Sequence, residues 1–504
     1  MKTSMTSMLL SGALLFSASP ALGQDCVVKL TTARTAGEHL SFKVNHCKTL
    51  TVDWGDGNPV EYQTTRDDFY FTVEGELKGS VVTVTGNKSL TALHCSDAEL
   101  TDIDLSGATN LTSLYLRGNQ IDTLDLRGMT KLIDLYAADN QIKVVRLSGT
   151  ADNASQDLAS IQTINLANNH LTGMYYLRLP TLSHLDISGN EYTSFYSYDA
   201  ELTSLKAGGN KITGTINLTK CPKIEMVSCE DNNLKTLSMI AGAPTLRQLF
   251  ANGNQLKSID LEQATELTDL HCQDNGLSQL KYNAKAPVST MNVSGNALTF
   301  AVLPPANLVP DYLSFMPQNA FDVSNVEGMK KKEGVPYVDI APSWSERLNT
   351  AIDLRDFCSL SNGRYDAEYQ CFAINPDGTE TELIKRSSST EEGDYSVGSG
   401  KFSFFTPQKK VYIQLTSKTY GFTINSTPFV VGDDITSVST IVNNGNELNV
   451  RVSGQSIVLN SPQSTEVSIY TLDGKKAWQG NVSGERIVNL PKGVYLVAGK
   501  KVIL

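Results

Sequence analysis

Six histidines, eight cysteines and 53 acidic residues are the side chains of this 504-residue sequence with chemistry to offer. Their spacing gives catalysis little to work with. His39, His46, His94, His170, His184 and His271 never stand at helical zinc spacing, and no His-Glu-x-x-His occurs. The chain lacks a Gly-x-Ser-x-Gly elbow followed by triad partners, a phosphate-cradling loop and a Cys-x-x-Cys pair. Asp53 and Asp56 flank a tight turn but lack the further oxygen ligands of a calcium loop. Scattered carboxylates are weak evidence for glycoside hydrolysis. The expectation is no enzyme, no resident metal and no cofactor. What does recur is a ring-bearing side chain at a constant interval: His94, Tyr115 and Tyr136 are each 21 residues apart, as are Phe250 and His271. Rings presented on a surface are the chemistry of binding.

The elements that position these rings are repeats. From Leu90 to Phe300 the chain reads Leu-x-x-Leu-x-Leu-x-x-Asn-x-Leu, as in Leu111, Leu114, Leu116, Asn119 and Ile121, or Leu267, Leu270, Cys272, Asn275 and Leu277. The asparagines fall at 119, 140, 169, 190, 210, 232, 254, 275 and 296, in steps of 20 to 22 with one of 29. The long step holds the small and polar residues from Ser148 to Leu158, which must form a surface loop. A degenerate copy at Leu90 makes ten repeats. This pattern resembles the leucine-rich-repeat family, and the resemblance implies a right-handed solenoid with a parallel sheet on one side. Each short strand buries its leucines, and each asparagine amide satisfies backbone groups in the following turn. Cys95, Cys229 and Cys272 occupy the third core position as compact apolar groups.

The register then fixes which side chains leave the concave sheet. One outward column is His94, Tyr115, Tyr136, Asn165, Asp186, Lys206, Ser228, Phe250, His271 and Asn292. Neighbouring columns add Ser113, Arg117, Asp134, His184, Glu230 and Asp269 as hydrogen-bonding rim. On the second wall Tyr175 and Tyr196 take the place of Asp125 and Asp260, and with Tyr192, Phe195 and Tyr198 they form a rival aromatic patch. Ten strands of about five residues give a face on the order of 700 Å² at ~4.8 Å between strands. That approaches the ~800 Å² per partner of a standard protein interface.

The sequence outside the repeats reads as mainly β. Residues 24–88 alternate polar and apolar around the turn after Trp54, as a small β-sandwich cap, and Val52-Asp53-Trp54-Gly55-Asp56-Gly57 resembles the turn of polycystic-kidney-disease-type immunoglobulin-like modules. The repeats are placed at 89–303, and residues 304–433, with strand-like runs such as Ala367 to Ile374, read as an immunoglobulin-like sandwich. Residues 1–23 read as a secretory signal, with no later apolar run long enough to span a membrane. In residues 434–504 the segments Val467 to Lys475 and Leu490 to Val497 resemble the C-terminal sorting domain of type IX secretion cargo in the Bacteroidota, through Gly474 and Gly493-Val494-Tyr495. Cys26 with Cys47, and Cys358 with Cys371, stand in pairs that could be bridged in an oxidising compartment or remain thiols; Cys221 has no evident partner.

A net charge of -11 and the lack of any basic run argue against nucleic acid. Taken together, the parts resemble the internalin-like surface proteins of that bacterial group, notably the internalin-J-like ones. That resemblance implies export to the outer-membrane surface or beyond, secretion machinery as one partner, and roles in adhesion or biofilm. The residues themselves point to a binding platform for a protein partner, of a host or bacterial surface or a second copy of the chain, with a long glycan as the alternative. From other classes come an exported hydrolase with its site in 304–433, and a structural surface component.

Overall fold

The computed structural model describes residues 26–503, apart from 46, 48, 64–69, 149–156, 240–242, 333, 433–438, 444–445, 454–455, 472–474, 492–493 and 498–499. The sequence-level secretion signal, the sorting residues Gly474 and Gly493, and most of the 148–158 loop lie outside the described residues. The chain forms two compact units, 1–319 with 360–362, and 320–359 with 363–504. No α-helix occurs among the described residues.

The first unit is a leucine-rich-repeat solenoid. Three-residue strands, each with its middle residue inward, stack in parallel from Ala92–His94 to Tyr312–Ser314. Leu93, Leu114, Leu135, Ile164, Leu185, Leu205, Val227, Leu249, Leu270 and Met291 form the inward column, all at most 3% exposed. The next inward column mixes Leu116, Ile187 and Val293 with the smaller Ala137, Ala207, Cys229, Ala251 and Cys272.

The asparagines hold the coils together. The Oδ1 of each, from Asn119 to Asn296, accepts the N–H two residues beyond the previous repeat's equivalent position, at 2.9–3.1 Å. Asn232 is representative: its Oδ1 accepts from Ile212 N–H, and its Nδ2 donates to Ala207 O at 2.9 Å and Cys229 O at 3.2 Å. All but Asn275 among them are buried, so these bonds satisfy backbone groups that water cannot reach. The residue before the asparagine has φ of 52–73° in every coil from Gly118 to Gly295, where Gly alternates with Asp and Asn. Those are the residue types that tolerate the left-handed region.

The solenoid does not end near Leu303 as the repeat pattern suggests. Tyr312–Ser314 pairs with Thr290–Asn292, Phe315 is buried in the core column, and Gln318 stands where asparagine is expected. Gln318 Oε1 accepts Leu298 N–H at 2.8 Å and Nε2 donates to Val293 O at 2.9 Å, reproducing the amide pattern with one methylene more. The described residues therefore make eleven coils.

At the other end the solenoid sheet is continued by antiparallel strands. His39–Val44 pairs with Ala92–His94, and Phe71–Glu76 pairs with His39–Val44, giving a 13-stranded sheet. A five-stranded sheet that includes Cys26–Thr32 and Thr49–Asp53 lies against this extension, with Phe42 and Trp54 rings 6.2 Å apart. The Asp53 carboxylate is occupied by the N–H groups of Gly55, Asp56 and Gly57, so it serves the turn.

The second unit contains a seven-stranded sheet centred on Ala367–Ile374 and Gln408–Ser417, and a three-stranded sheet of Ile352–Asp353, Lys401–Phe404 and Tyr395–Gly398. Phe402 and Phe404 meet Tyr369 and Phe429 at ring distances of 5.4 and 5.6 Å. Residues from Ser439 onward make one six-stranded sheet around the long hairpin Ser456–Thr471 and Lys476–Asn489. Tyr495 is buried in its core with Val467, Ile469 and Val497, and its hydroxyl donates to Pro491 O at 2.7 Å.

All eight cysteines are buried, and the structure holds Cys26, Cys47, Cys358 and Cys371 as thiols. Burial pushes the Cys26 thiol up to about 11, and Cys47 beside it adds to the rise. Cys358 is pushed up to about 12 by burial as well. Apolar surroundings keep such thiols protonated and inert.

Candidate functional site on the parallel sheet

The outward column forms in the register the repeats dictate. His94 aligns with Tyr115, Tyr115 with Tyr136, Tyr136 with Asn165, Asn165 with Asp186, and the series continues through Lys206, Ser228, Phe250, His271 and Asn292 to Ser314. The alignment turns sequence spacing into ring stacking. His94 and Tyr115 lie 3.8 Å apart between centroids, and Tyr115 and Tyr136 lie 4.8 Å apart with planes within 10°. Tyr70 extends the stack past the repeats, 4.0 Å from His94. Four rings thus run in series across the joint between antiparallel and parallel strands.

Tyr70 is 44% exposed, and the other three rings are half-buried. Burial raises the Tyr115 hydroxyl above its ordinary value, reinforced by Tyr70, Asp134 and Tyr136. Burial, with the charge of Lys43 second, lowers His94 below the usual imidazole range. His94 Nε2 is buried without a hydrogen-bond partner among the described residues. Its ring is therefore held as a neutral, apolar-faced member of the stack.

A second, smaller cluster lies further along. Phe250 and His271 stack at 5.1 Å, and His271 Nε2 meets Thr290 Oγ1 at 3.1 Å. Thr290 donates to Asp269 Oδ1 at 2.6 Å, so its hydroxyl bridges the imidazole and the carboxylate. Burial pulls the Asp269 carboxyl up, but hydrogen bonds from Thr290, Gln248 and Thr268 outweigh it and hold the group below its ordinary value.

The rim residues are more engaged than their sequence positions suggest. Arg117 Nε donates to Asp139 Oδ2 at 2.7 Å, an exposed pair. Asp186 Oδ1 accepts from Ser188 N–H and Oγ, and exposed His184 contacts Ser183 Oγ at 2.8 Å. Asp134 is half-buried beside the Tyr115–Tyr136 stack. Eleven of the thirteen strands are three residues long, so the sheet gives a face roughly 58 Å by 10 Å, on the order of 600 Å².

The rival patch is largely corrected. Tyr175, Tyr192 and Phe195 are 3%, 8% and 2% exposed and fill the interior behind the second wall, with Tyr175 stacked on Phe195 at 5.0 Å. The reason is register: a bulge between Gly173 and Met174 pairs Tyr175 with Phe195, and Tyr176 with Tyr196. One residue of slip turns a side chain from one face to the other. What remains outside is Tyr196 and Tyr198, 4.9 Å apart, with the Arg178 guanidinium 5.4 Å from the Tyr198 ring.

Sequence reasoning missed Tyr70, Tyr312 and Gln318. The last two carry a legible signal, because Tyr312-Leu313-Ser314-Phe315 followed by Gln318 is a repeat with the amide one methylene longer. Tyr70 carries none, since only the pairing of Phe71–Glu76 beside His39–Val44 brings it to the column. Among the described residues, no cluster of three or more histidine, cysteine or acidic side chains could hold a metal ion, and no helix is long and apolar enough to cross a membrane.

No family model and no curated protein matches the chain. Solved structures do match in part. A leucine-rich-repeat protein of Leptospira interrogans is 20% identical over 46% of this chain and 56% of its own, with a TM-score of 0.34. The leucine-rich effector YopM of Yersinia pestis is 21% identical over 42% of this chain and 56% of its own, with a TM-score of 0.34. The functional domain of InlJ from Listeria monocytogenes is 14% identical over 69% of this chain and 92% of its own, with a TM-score of 0.30. The chain thus spans 56% of the length of the first two structures. The solenoid assignment itself rests on the strand register and the asparagine ladder. These define the class: a leucine-rich-repeat solenoid presenting an aromatic column on its parallel sheet.

Proposed function

We propose that this chain is a non-catalytic binding protein that takes a protein partner on the face of its parallel sheet. The observation that carries the reading is the four-ring stack Tyr70–His94–Tyr115–Tyr136, held by the sheet and left partly open. Rings fixed by their neighbours lose little freedom on association and offer broad apolar faces. A face on the order of 600 Å² suits a modest protein interface better than a single sugar ring. Within this reading the chain works exported or at the cell surface, with residues 434–504 as the part that addresses it to a secretion machinery. Adhesion to a host or bacterial surface is the role that follows.

The test is a capture and affinity measurement with full-length protein against surface and matrix proteins and against itself, comparing the parent with Tyr115→Ala/Tyr136→Ala. A partner whose affinity falls about thirtyfold or more in the double variant supports the site, because a true anchor contributes about 2 kcal/mol or more. Undiminished affinity for every partner found would place binding elsewhere.

A further inference from the structure

The unit of residues 320–359 and 363–504 carries a second candidate site, unrelated to the aromatic column. A cleft of about 510 Å³ is lined by Trp344, Arg347, Lys385, Arg386, Lys401 and four serines. The volume falls within the ~300–1,000 Å³ of small-ligand pockets. Four cations around one cleft stand out in a chain of net charge -11.

Their neutralisation is incomplete. Lys401 lies 3.5 Å from Asp353, but that carboxylate already takes both hydrogen bonds of an Arg355 fork. Among the described residues Arg347, Lys385 and Arg386 have no carboxylate within 4 Å. Arg347 donates to Trp344 O at 2.7 Å, Arg386 donates to Ser388 O and Ser389 O, and Lys385 donates to the Tyr369 hydroxyl. These neutral acceptors fix the cations in place without cancelling their charge. Two acidic groups close by in sequence serve backbone: Glu391 accepts from Ser387 N–H and Asp394 from Ile384 N–H, both at 2.8 Å.

Aromatic surfaces hold the guanidiniums further. Arg347 lies 4.1 Å over Trp344, and Arg386 lies 5.4 Å from Trp344 and 4.8 Å from Phe405. Trp344 and Phe405 are themselves stacked at 6.0 Å. Like charges gathered and clamped this way repel one another, and an anion placed between them relieves that repulsion. Guanidinium forks held in advance lose less freedom on meeting a carboxylate or sulfate. Of the lining serines, Ser387 and Ser399 are exposed and offer hydroxyls suited to a polyhydroxy ligand, whereas Ser396 and Ser403 are buried and Ser403 donates to Arg347 O at 2.7 Å.

We propose that this cleft binds an acidic glycan segment, recognised by its sulfate or carboxylate groups together with ring hydroxyls. The cations meet the anionic groups, and Ser387 and Ser399 meet the hydroxyls. A nucleic acid fits less well, because a long phosphate backbone would meet the net negative charge of the rest of the chain.

The experiment is titration calorimetry on the full chain with three probes: a sulfated heparin octasaccharide, an oligogalacturonate of similar length, and a single-stranded oligonucleotide. The variants are Lys385→Gln/Arg386→Gln, Lys385→Gln alone as the mildest change at an exposed side chain, and Lys409→Gln/Lys410→Gln as a control on exposed lysines outside the cleft. The parent binds at least one acidic glycan; the double cleft variant loses about tenfold or more, since charge-assisted hydrogen bonds exceed neutral ones. The single variant loses part of that, with an unchanged melting curve, and the control changes less than about twofold on the same ground. Which glycan binds assigns sulfate or carboxylate. No binding of either glycan, an equal loss in the control, or tighter binding of the oligonucleotide overturns the proposal.

Discussion

Side chains that look alike in sequence are given different work by a few ångströms of surroundings. Tyr115 and Tyr175 are both tyrosines of the repeats, yet one lies half-open in a stack and the other is 3% exposed with its hydroxyl unpartnered among the described residues. Replacing Tyr115 and Tyr136 by alanine should leave the melting temperature nearly unchanged, as surface substitutions usually cost within ~0.5 kcal/mol. Leu114→Ala should instead cost about 2–5 kcal/mol through the cavity it opens. Denaturant titration of both variants checks the contrast, and equal losses would mean that the rings hold the solenoid up. His94 adds a pH dependence. Its folded pKa lies below the usual imidazole value, chiefly through burial, so the unfolded chain takes up the proton first. The stabilising contribution is complete above about pH 6.5 and is lost as pH falls through the folded value. Thermal melts of the parent between pH 7.5 and pH 5 should therefore fall more steeply than those of His94→Gln; parallel curves would remove His94 as the cause.

At the scale of the element, the asparagine ladder is the part of the structure most fully written in the sequence. Each Asn recurs because each coil leaves the same N–H and C=O groups without a partner. Asn232→Ala should cost about 2–4 kcal/mol, since it strands the Ile212 N–H and the carbonyls of Ala207 and Cys229 out of reach of water. Gln318→Asn keeps the amide but shortens its reach, and should cost less than Gln318→Ala in the same denaturant measurement. The outward column was legible for the same reason as the ladder: a fixed step from asparagine to ring fixes the face. Tyr175 was not legible, because the 21-residue step assumed on the second wall ignores the Gly173–Met174 bulge, and one residue of phase reverses inside and outside. The eleventh coil was hidden by the exchange of asparagine for glutamine. Tyr70 was hidden because sheet continuity between unlike strands is a long-range pairing, with no local periodicity to announce it.

On the scale of the whole molecule, the two units pose separate questions. The first carries the aromatic column and the second carries the cationic cleft, so a variant in one should leave ligand binding at the other unchanged. The proposed addressing role of residues 434–504 is open to a direct test. Deleting Ile435 to Leu504 should leave the protein in the periplasm of a Gram-negative host that displays the parent chain, as seen by fractionation and by surface protease accessibility. Surface display equal to that of the parent would reject the sorting assignment.

The buried thiols make the solenoid a self-reporting ruler. Cys95, Cys229 and Cys272 are each 0% exposed and sit in the first, seventh and ninth coils of the same interior column. Burial holds all three thiols far from ionisation, with Cys272 pushed up to about 12. An alkylating reagent can therefore reach each only when its own coil opens. In a linear array each coil leans on its neighbours, so opening can start at an end and travel inward or involve the whole stack at once. Timed alkylation read by peptide mass spectrometry separates the two: one shared rate means all-or-none unfolding, and faster labelling of Cys95 or Cys272 than of Cys229 means that the stack frays from its ends.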